Sequence, residues 1–322
     1  MPLAARLTLL IALIVAGCAD RPAPTEPAAS VATDDLGREV AMDAPAERVL
    51  TLAPSLTEIL FAAGGGATLV GASQADDYPQ AVDTLPRYGT YPLDTEAVVA
   101  LQPDLVLATD QVNNPDDARA LAAAGIPTYF FSFDAVDDVP RALRTVGALI
   151  GTEQQAEAAA GTFETRMRRL AARTDTLARP RTLLLIGDET LFAFGDGSYT
   201  QELVAIAGGE SVTAGFEGEA VTLSEEFILE AAPEVIIGAF GEDYDPSQLV
   251  DLHPAWSPVP AVASGRLFSV DPDHLLRPGP RLADGAEALA RLLHPTPDSA
   301  EVSEPYDGEP AVRAPEVSEP RP

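Results

Sequence analysis

Apolar residues fall in short runs along this chain, separated by stretches with helical spacing. The run Arg48-Val49-Leu50-Thr51-Leu52-Ala53 reads as a strand. Ser55-Leu56-Thr57-Glu58 follows with the spacing of a capping box, then Ile59-Leu60-Phe61-Ala62-Ala63 and a Gly64-Gly65 stop. The order returns as Leu191-Phe192-Ala193-Phe194, Ser198-Tyr199-Thr200-Gln201, Leu203-Val204-Ala205-Ile206-Ala207 and Gly208-Gly209, with Ser198 lying 143 residues after Ser55. A second unit also repeats. Glu96 to Leu107 and Glu226 to Ile237 each predict a short helix, a proline that ends it and a buried apolar strand, 130 residues apart.

Alternating strands and helices predict an α/β fold with parallel-type sheets, and two copies predict two similar lobes. From Thr152 to about Ala178 the chain is rich in helix formers, with Gly161 and no proline. That predicts one long backbone helix, about 40 Å, joining the lobes. The expected division is an N-terminal lobe at 34–150, a linking helix at 151–179 and a C-terminal lobe at 180–294.

The ends read differently. Arg6 precedes an apolar run from Leu7 to Gly17. As a helix this run spans about 16 Å, too short for a bilayer core of about 30 Å. Residues 1–17 therefore have the layout of an export signal. The run ends in Val15-Ala16-Gly17-Cys18, which resembles a bacterial lipobox and implies lipidation of Cys18. Residues 18–33 are Pro-rich and read as a tether. Residues 295–322 carry seven acids against two arginines and read as a disordered acidic tail.

Charge narrows the chemistry. The 20 basic residues are all arginine, against 50 acids, for a net charge of −30. Without lysine there is no Walker-type phosphate loop and no Schiff-base nucleophile. The charge also has the wrong sign for a nucleic-acid binder. The acids could meet a cationic ligand, but spread along the whole chain they read as a solvated, halophilic-type surface. Three widely spaced histidines and one cysteine argue against a protein metal cage, while leaving room for a single axial ligand to a bound molecule.

The order of several motifs is similar to a known family. These are Asp34-Asp35-Leu36-Gly37-Arg38, Arg48 to Ser55, Val70-Gly71 with Asp77-Tyr78-Pro79, and Pro103-Asp104-Leu105-Val106-Leu107. Gly125-Ile126-Pro127, Ala261-Val262 with Gly265-Arg266-Leu267-Phe268, and Arg277-Pro278-Gly279-Pro280-Arg281-Leu282 complete the set. Together they resemble the periplasmic substrate-binding proteins of cobalamin, ferric-siderophore and haem ABC importers, most of all the cobalamin-binding member. The resemblance implies a monomer with no catalytic role and no cofactor of its own. It would hold a small-molecule ligand in the inter-lobe cleft, and a lipid on Cys18 would tie it to a membrane in the periplasm or at the cell surface. It would hand its ligand to an ABC permease dimer with a cytoplasmic ATPase.

By position, the resemblance assigns permease docking to Glu96 and Glu226, and Tyr78 and Phe192 align best with cleft aromatics of the cobalamin member. The ligand candidates lie on loops after strands, where an open α/β sheet places its cleft. Those are Pro54, Ser55, Tyr78, Tyr88, Tyr91 and Gln111 in the first lobe, and Phe192, Tyr199, Phe240, Tyr244, His274 and Arg281 in the second. His274 stands where the cobalamin member carries an aromatic. Arg281 has two readings, a ligand anion or a structural salt bridge. Trp256 reads as a packing residue. Cobalamin is the expected ligand. The alternative is a ferric siderophore or haem, the latter with Tyr88, Tyr91 or His274 as axial ligand. An extracytoplasmic chelatase-like enzyme is a further alternative.

Overall fold

The computed structural model describes residues 30–295. The expected export signal, Cys18, the expected tether up to residue 29 and the acidic segment from residue 296 lie outside the described residues. The last four residues assigned to the tether are not tether. Ser30–Thr33 form strand β1, paired antiparallel with β2 (Glu39–Met42).

The first lobe continues through β3 (Val49–Thr51), α1 (Pro54–Ala62), β4 (Ala72–Ser73), β5 (Arg87–Tyr88), α2 (Thr95–Ala100), β6 (Leu105–Thr109), α3 (Pro115–Ala123), β7 (Thr128–Phe131) and α4 (Asp138–Ile150). Strands β3, β6 and β7 form a parallel sheet, and β4 pairs parallel with β5. The linking helix α5 spans Glu153–Thr174. The second lobe holds β8 (Arg181–Leu185), β9 (Phe192–Phe194), α6 (Tyr199–Ile206), β10 (Glu210–Ser211), β11 (Ala220–Thr222), α7 (Glu225–Ala231) and β12 (Val235–Gly238). It closes with α8 (Gln248–Leu252), α9 (Pro260–Ala263), β13 (Leu267–Ser269), α10 (Asp273–Leu276) and α11 (Leu282–Leu293). Its sheet runs β11-β9-β8-β12-β13, with β10 also on β8.

The second sheet is mixed. β10, β12 and β13 pair in parallel, but β9 runs antiparallel to β8 and β11 antiparallel to β9. Only residues 186–191 join β8 to β9, too short a link for a parallel crossover.

Each central strand is buried on both faces because its residues alternate between two cores. Val49, Leu105, Leu107, Tyr129 and Phe131 face a shared core, while Leu50, Val106, Ala108 and Phe130 face the outer core of the first lobe. In the second lobe Leu184, Val235 and Ile237 join the shared core, and Leu183, Leu185 and Ile236 face outward with Trp256. The shared core runs through α5, whose buried residues Ala156, Ala160, Phe163, Met167, Leu170 and Thr174 recur at helical spacing. Arg144 of α4 pairs with Glu157 and Glu164 of α5, and Arg166 of α5 pairs with Asp284 and Glu287 of α11. One continuous apolar core therefore joins both lobes to the linking helix.

The two capping boxes resolve differently. Ser198 caps α6, accepting from the Thr200 N–H, but Gln201 donates to the Phe194 carbonyl and does not reach back to the cap. Helix α1 starts one residue early, with Pro54 at its first position and no side-chain cap, so Ser55 and Glu58 form no box. Replacing Ser198 by Ala is expected to cost about 1 kcal/mol in urea unfolding, and Ser55→Ala much less. Equal losses would contradict this assignment.

Candidate functional site

In open α/β sheets, ligands lie beyond the carboxyl ends of the strands. Here those ends carry Leu52 to Ser55, Asp110 to Val112 and Ser132 to Asp134 in one lobe. The other lobe supplies Ile186 to Asp188, Ala239-Phe240 and Val270 to Asp273. A clasp of ion pairs joins the two lobes.

Arg281, just before α11, reaches Glu58 of α1 with two bonds, Nε to Oε2 at 3.0 Å and Nη2 to Oε1 at 2.6 Å. Its guanidinium lies 4.4 Å above the Tyr78 ring. Arg277 binds Asp77 through both terminal nitrogens, at 2.5 and 3.1 Å, and Asp273 at 2.9 Å. Gly279 between the arginines sits against α1, where an added Cβ would come within 3.4 Å of the Glu58 carboxylate. Glu58 is only 3% exposed. Burial lifts its carboxyl above the ordinary range, against the pull of Arg281, while the Arg277 hydrogen bond holds Asp77 below it. The Arg-Pro-Gly-Pro-Arg loop is thus the fastening between lobes. Of the two readings for Arg281, the geometry selects the structural salt bridge. A further inter-lobe bond runs from the Val136 N–H to Glu202 at 2.9 Å.

A second cluster is dominated by acids, with Arg141 beside it held by Asp35 and Asp138. Glu219, in the loop before β11, faces Asp110 and Asp134 of the other lobe. Desolvation is the first cause that raises the carboxyls of Asp134 and Glu219; Asp138 and Asp110 add to it at Asp134, against Arg141, and Asp134 and Asp110 add to it at Glu219. The acids lie far apart in the sequence, so no motif marks them.

The candidate ligand residues sort by exposure. Tyr91 is 94% exposed and, with Val112 and Asn114, lines a depression of about 350 Å³ on the first lobe. Tyr78 and Phe192 are each more than a third exposed. Phe240 and Tyr244 are half-buried with ring centroids 4.7 Å apart, and burial with nearby Asp188 pushes the Tyr244 hydroxyl up to about 12. His274 is half-buried on α10, and Pro54 half-buried at the start of α1. The Gln111 amide donates to the Phe133 carbonyl.

Three candidates are core residues. Tyr88 is 1% exposed and donates to the Thr51 carbonyl at 2.7 Å. Tyr199 is 3% exposed and donates to the Leu275 carbonyl at 2.9 Å. Ser55 is buried, and its carbonyl lies close against the Gly279 loop. None of the three offers its side chain to a ligand, because each is enclosed by its own lobe or by the clasp.

His253 is a structural residue that the sequence left without a role. Its Nδ1 lies 2.8 Å from the Glu225 carboxylate and its Nε2 2.6 Å from the Asp188 carbonyl, and its ring stacks on Trp256. The residue ties the β8–β9 loop to the start of α7. Trp256 is fully buried in the second lobe, as its packing role requires.

Glu96 and Glu226 are both exposed in the first turns of α2 and α7. The Glu226 carboxylate is held below the ordinary range by its own backbone N–H and by Ser224.

Residues 49–274, which span both lobes, match the family of periplasmic binding proteins. An ABC transporter substrate-binding lipoprotein of Bacillus subtilis, YvrC, is 26% identical over 302 residues, covering 89% of this chain and 95% of that one. The vitamin B12-binding protein of Yersinia pestis is 30% identical over 258 residues, covering 78% of this chain and 89% of that one. The crystal structure of a periplasmic haem-binding protein from Pseudomonas aeruginosa superposes with a TM-score of 0.69 at 28% identity, covering 78% of this chain and 94% of that one. The fold, its duplicated lobes and these likenesses agree: the chain belongs to the periplasmic binding protein family, whose members are binding proteins of transport systems and not enzymes.

Proposed function

We propose that this protein is the extracytoplasmic solute receptor of an ABC importer and carries a corrinoid, cobalamin, between its lobes. The charge of the cleft is the observation that carries the choice of ligand. Arg277 and Arg281 are both engaged by carboxylates, and so is Arg141, while Asp110 and Asp134 of one lobe lie near enough to Glu219 of the other to raise its carboxyl. Haem propionates and anionic siderophores would enter a negative field there. A large neutral ring with an amide rim avoids that cost and can lie against exposed aromatics. Tyr78, Tyr91 and Phe192 are assigned to that contact, with Phe240, Tyr244 and His274 beside it. The vitamin B12-binding relative supports the same reading.

A lipid on Cys18 would tether the receptor to its membrane, in keeping with the lipoprotein relative. Glu96 and Glu226 would dock it on the permease dimer. The acidic surface suits high salt. Haem is the second reading, favoured by the exposed phenol of Tyr91 as an iron ligand.

The test is titration of the purified mature protein with cyanocobalamin, haemin and a siderophore panel, followed by absorbance and intrinsic fluorescence. Cobalamin is expected to bind at micromolar or lower concentration, and Phe192→Ala to weaken it about tenfold, or about 1.4 kcal/mol. No micromolar binding of cobalamin would remove the corrinoid, and haemin binding in its place would establish the second reading.

A further inference from the structure

Helices α2 and α7 are equivalent in geometry as well as in their place in the sequence repeat. Each begins with a side-chain cap, Asp94 accepting from the Ala97 N–H and Ser224 from the Phe227 N–H. Each is followed by a non-glycine residue in the left-handed region, Gln102 at φ 49° and Ala232 at φ 46°, and then by proline. That conformation is uncommon outside glycine and has to be imposed by its surroundings. The surroundings are copied too. Arg48 donates to the Leu101 and Gln102 carbonyls, and Arg181 to the Ala231 carbonyl. Asp104 and Glu234, one residue after the prolines, accept from the backbone N–H groups of Arg48 and Arg181. The direction in which each helix leaves its lobe is therefore held in the same way twice.

The surfaces match as well. Residues 94–100 and 224–230 have the same order of exposed, half-buried and buried positions, with Val98 and Ile228 fully buried. Val99 and Leu229, at equivalent positions, are both 37% exposed. Each lies three residues after its glutamate, on the same helix face. One exposed aliphatic side chain is ordinary in a soluble protein. The same exposure, at the same place beside the same acid in both lobes, is not required by either lobe's core. The shared core and the clasp fix the spacing between the two faces, so one rigid partner can engage both at once.

We propose that each helix carries a two-part contact, Glu96 with Val99 and Glu226 with Leu229. The occupant is the importer's permease dimer, presenting twice a basic side chain beside an apolar pocket about one helical turn away. This inference rests on the docking role assigned to Glu96 and Glu226. The acids orient the receptor at low salt. The apolar pair holds it where salt screens charges beyond about 3 Å at 1 M.

The test measures docking of the mature protein on the purified permease–ATPase complex in nanodiscs, at 0.15 and 1 M NaCl. Thermal midpoints would confirm that each variant is folded. E96Q/E226Q is expected to dock more weakly at low salt and to approach wild type at high salt. V99S/L229S is expected to dock about tenfold more weakly at both salts, since the apolar contribution is not screened. If V99S/L229S docks like wild type while E96Q/E226Q fails, the apolar half is overturned and the docking role stands. If neither variant changes docking, both are overturned.

Discussion

Replacing Arg281 by methionine is expected to lower the unfolding free energy by about 3 kcal/mol at pH 8, because it leaves the buried Glu58 carboxylate without its bidentate partner. The loss should be clearly smaller at pH 5. Burial already raises the Glu58 carboxyl in the folded protein. A group raised in this way contributes stability that is present at low pH and lost as pH rises through its folded value. Removing Arg281 takes away the largest influence pulling that value down, so the loss shifts toward neutral pH and acid relieves it. Urea unfolding at the two pH values measures both effects. The double variant E58L/R281M should recover most of the loss, since an apolar pair of similar size needs no desolvation of charge. A loss below about 1 kcal/mol, or one equal at both pH values, would show that the pair behaves as a surface bridge. Arg277→Met should cost less than Arg281→Met, because Asp77 is 57% exposed at its side chain and keeps its water.

The largest effect on function is expected from reversing both acids proposed to dock the receptor, Glu96 and Glu226. E96K/E226K should dock on the permease about a thousandfold more weakly, as two unfavourable charge contacts of about 2 kcal/mol each would give. Ligand affinity and thermal midpoint should not change, because both side chains are exposed and lie outside the three apolar cores. Uptake assays with the double variant, run beside ligand titration, separate the two outcomes. Transport at the wild-type rate would end the docking role. Each single reversal should lose about half of the free energy, provided the two contacts act independently.

Much of the fold was legible in the sequence. Hydrophobic period, proline position and helix-forming composition are local signals, and they placed β3, β6, β12, α2, α5 and α7 within a few residues. The repeat of α2 with β6 and of α7 with β12 was readable at a constant offset because both copies keep the same proline. The direction of β9 was not readable, since residue pattern does not encode strand polarity and only the short link from β8 sets it.

The candidate site was less legible. Ser55-Leu56-Thr57-Glu58 has the spacing of a capping box, and spacing does not reveal whether a stronger partner waits elsewhere. Glu58 instead meets Arg281, 223 residues away. Tyr88, Tyr91 and Tyr199 look alike as tyrosines near loops. One is 94% exposed and the other two are buried with their hydroxyls bonded to carbonyls.

By itself, then, the sequence determined the two lobes, the helix between them, the exclusion of lysine chemistry and the paired acids on equivalent helices. All of these follow from neighbours along the chain or from simple counts. Only the tertiary structure decided which arginines are spent in the clasp, which acids come together from the two lobes, and which aromatics stay exposed. Those are properties of side chains that meet through space, where burial and the sign of a neighbouring charge decide what each group can do.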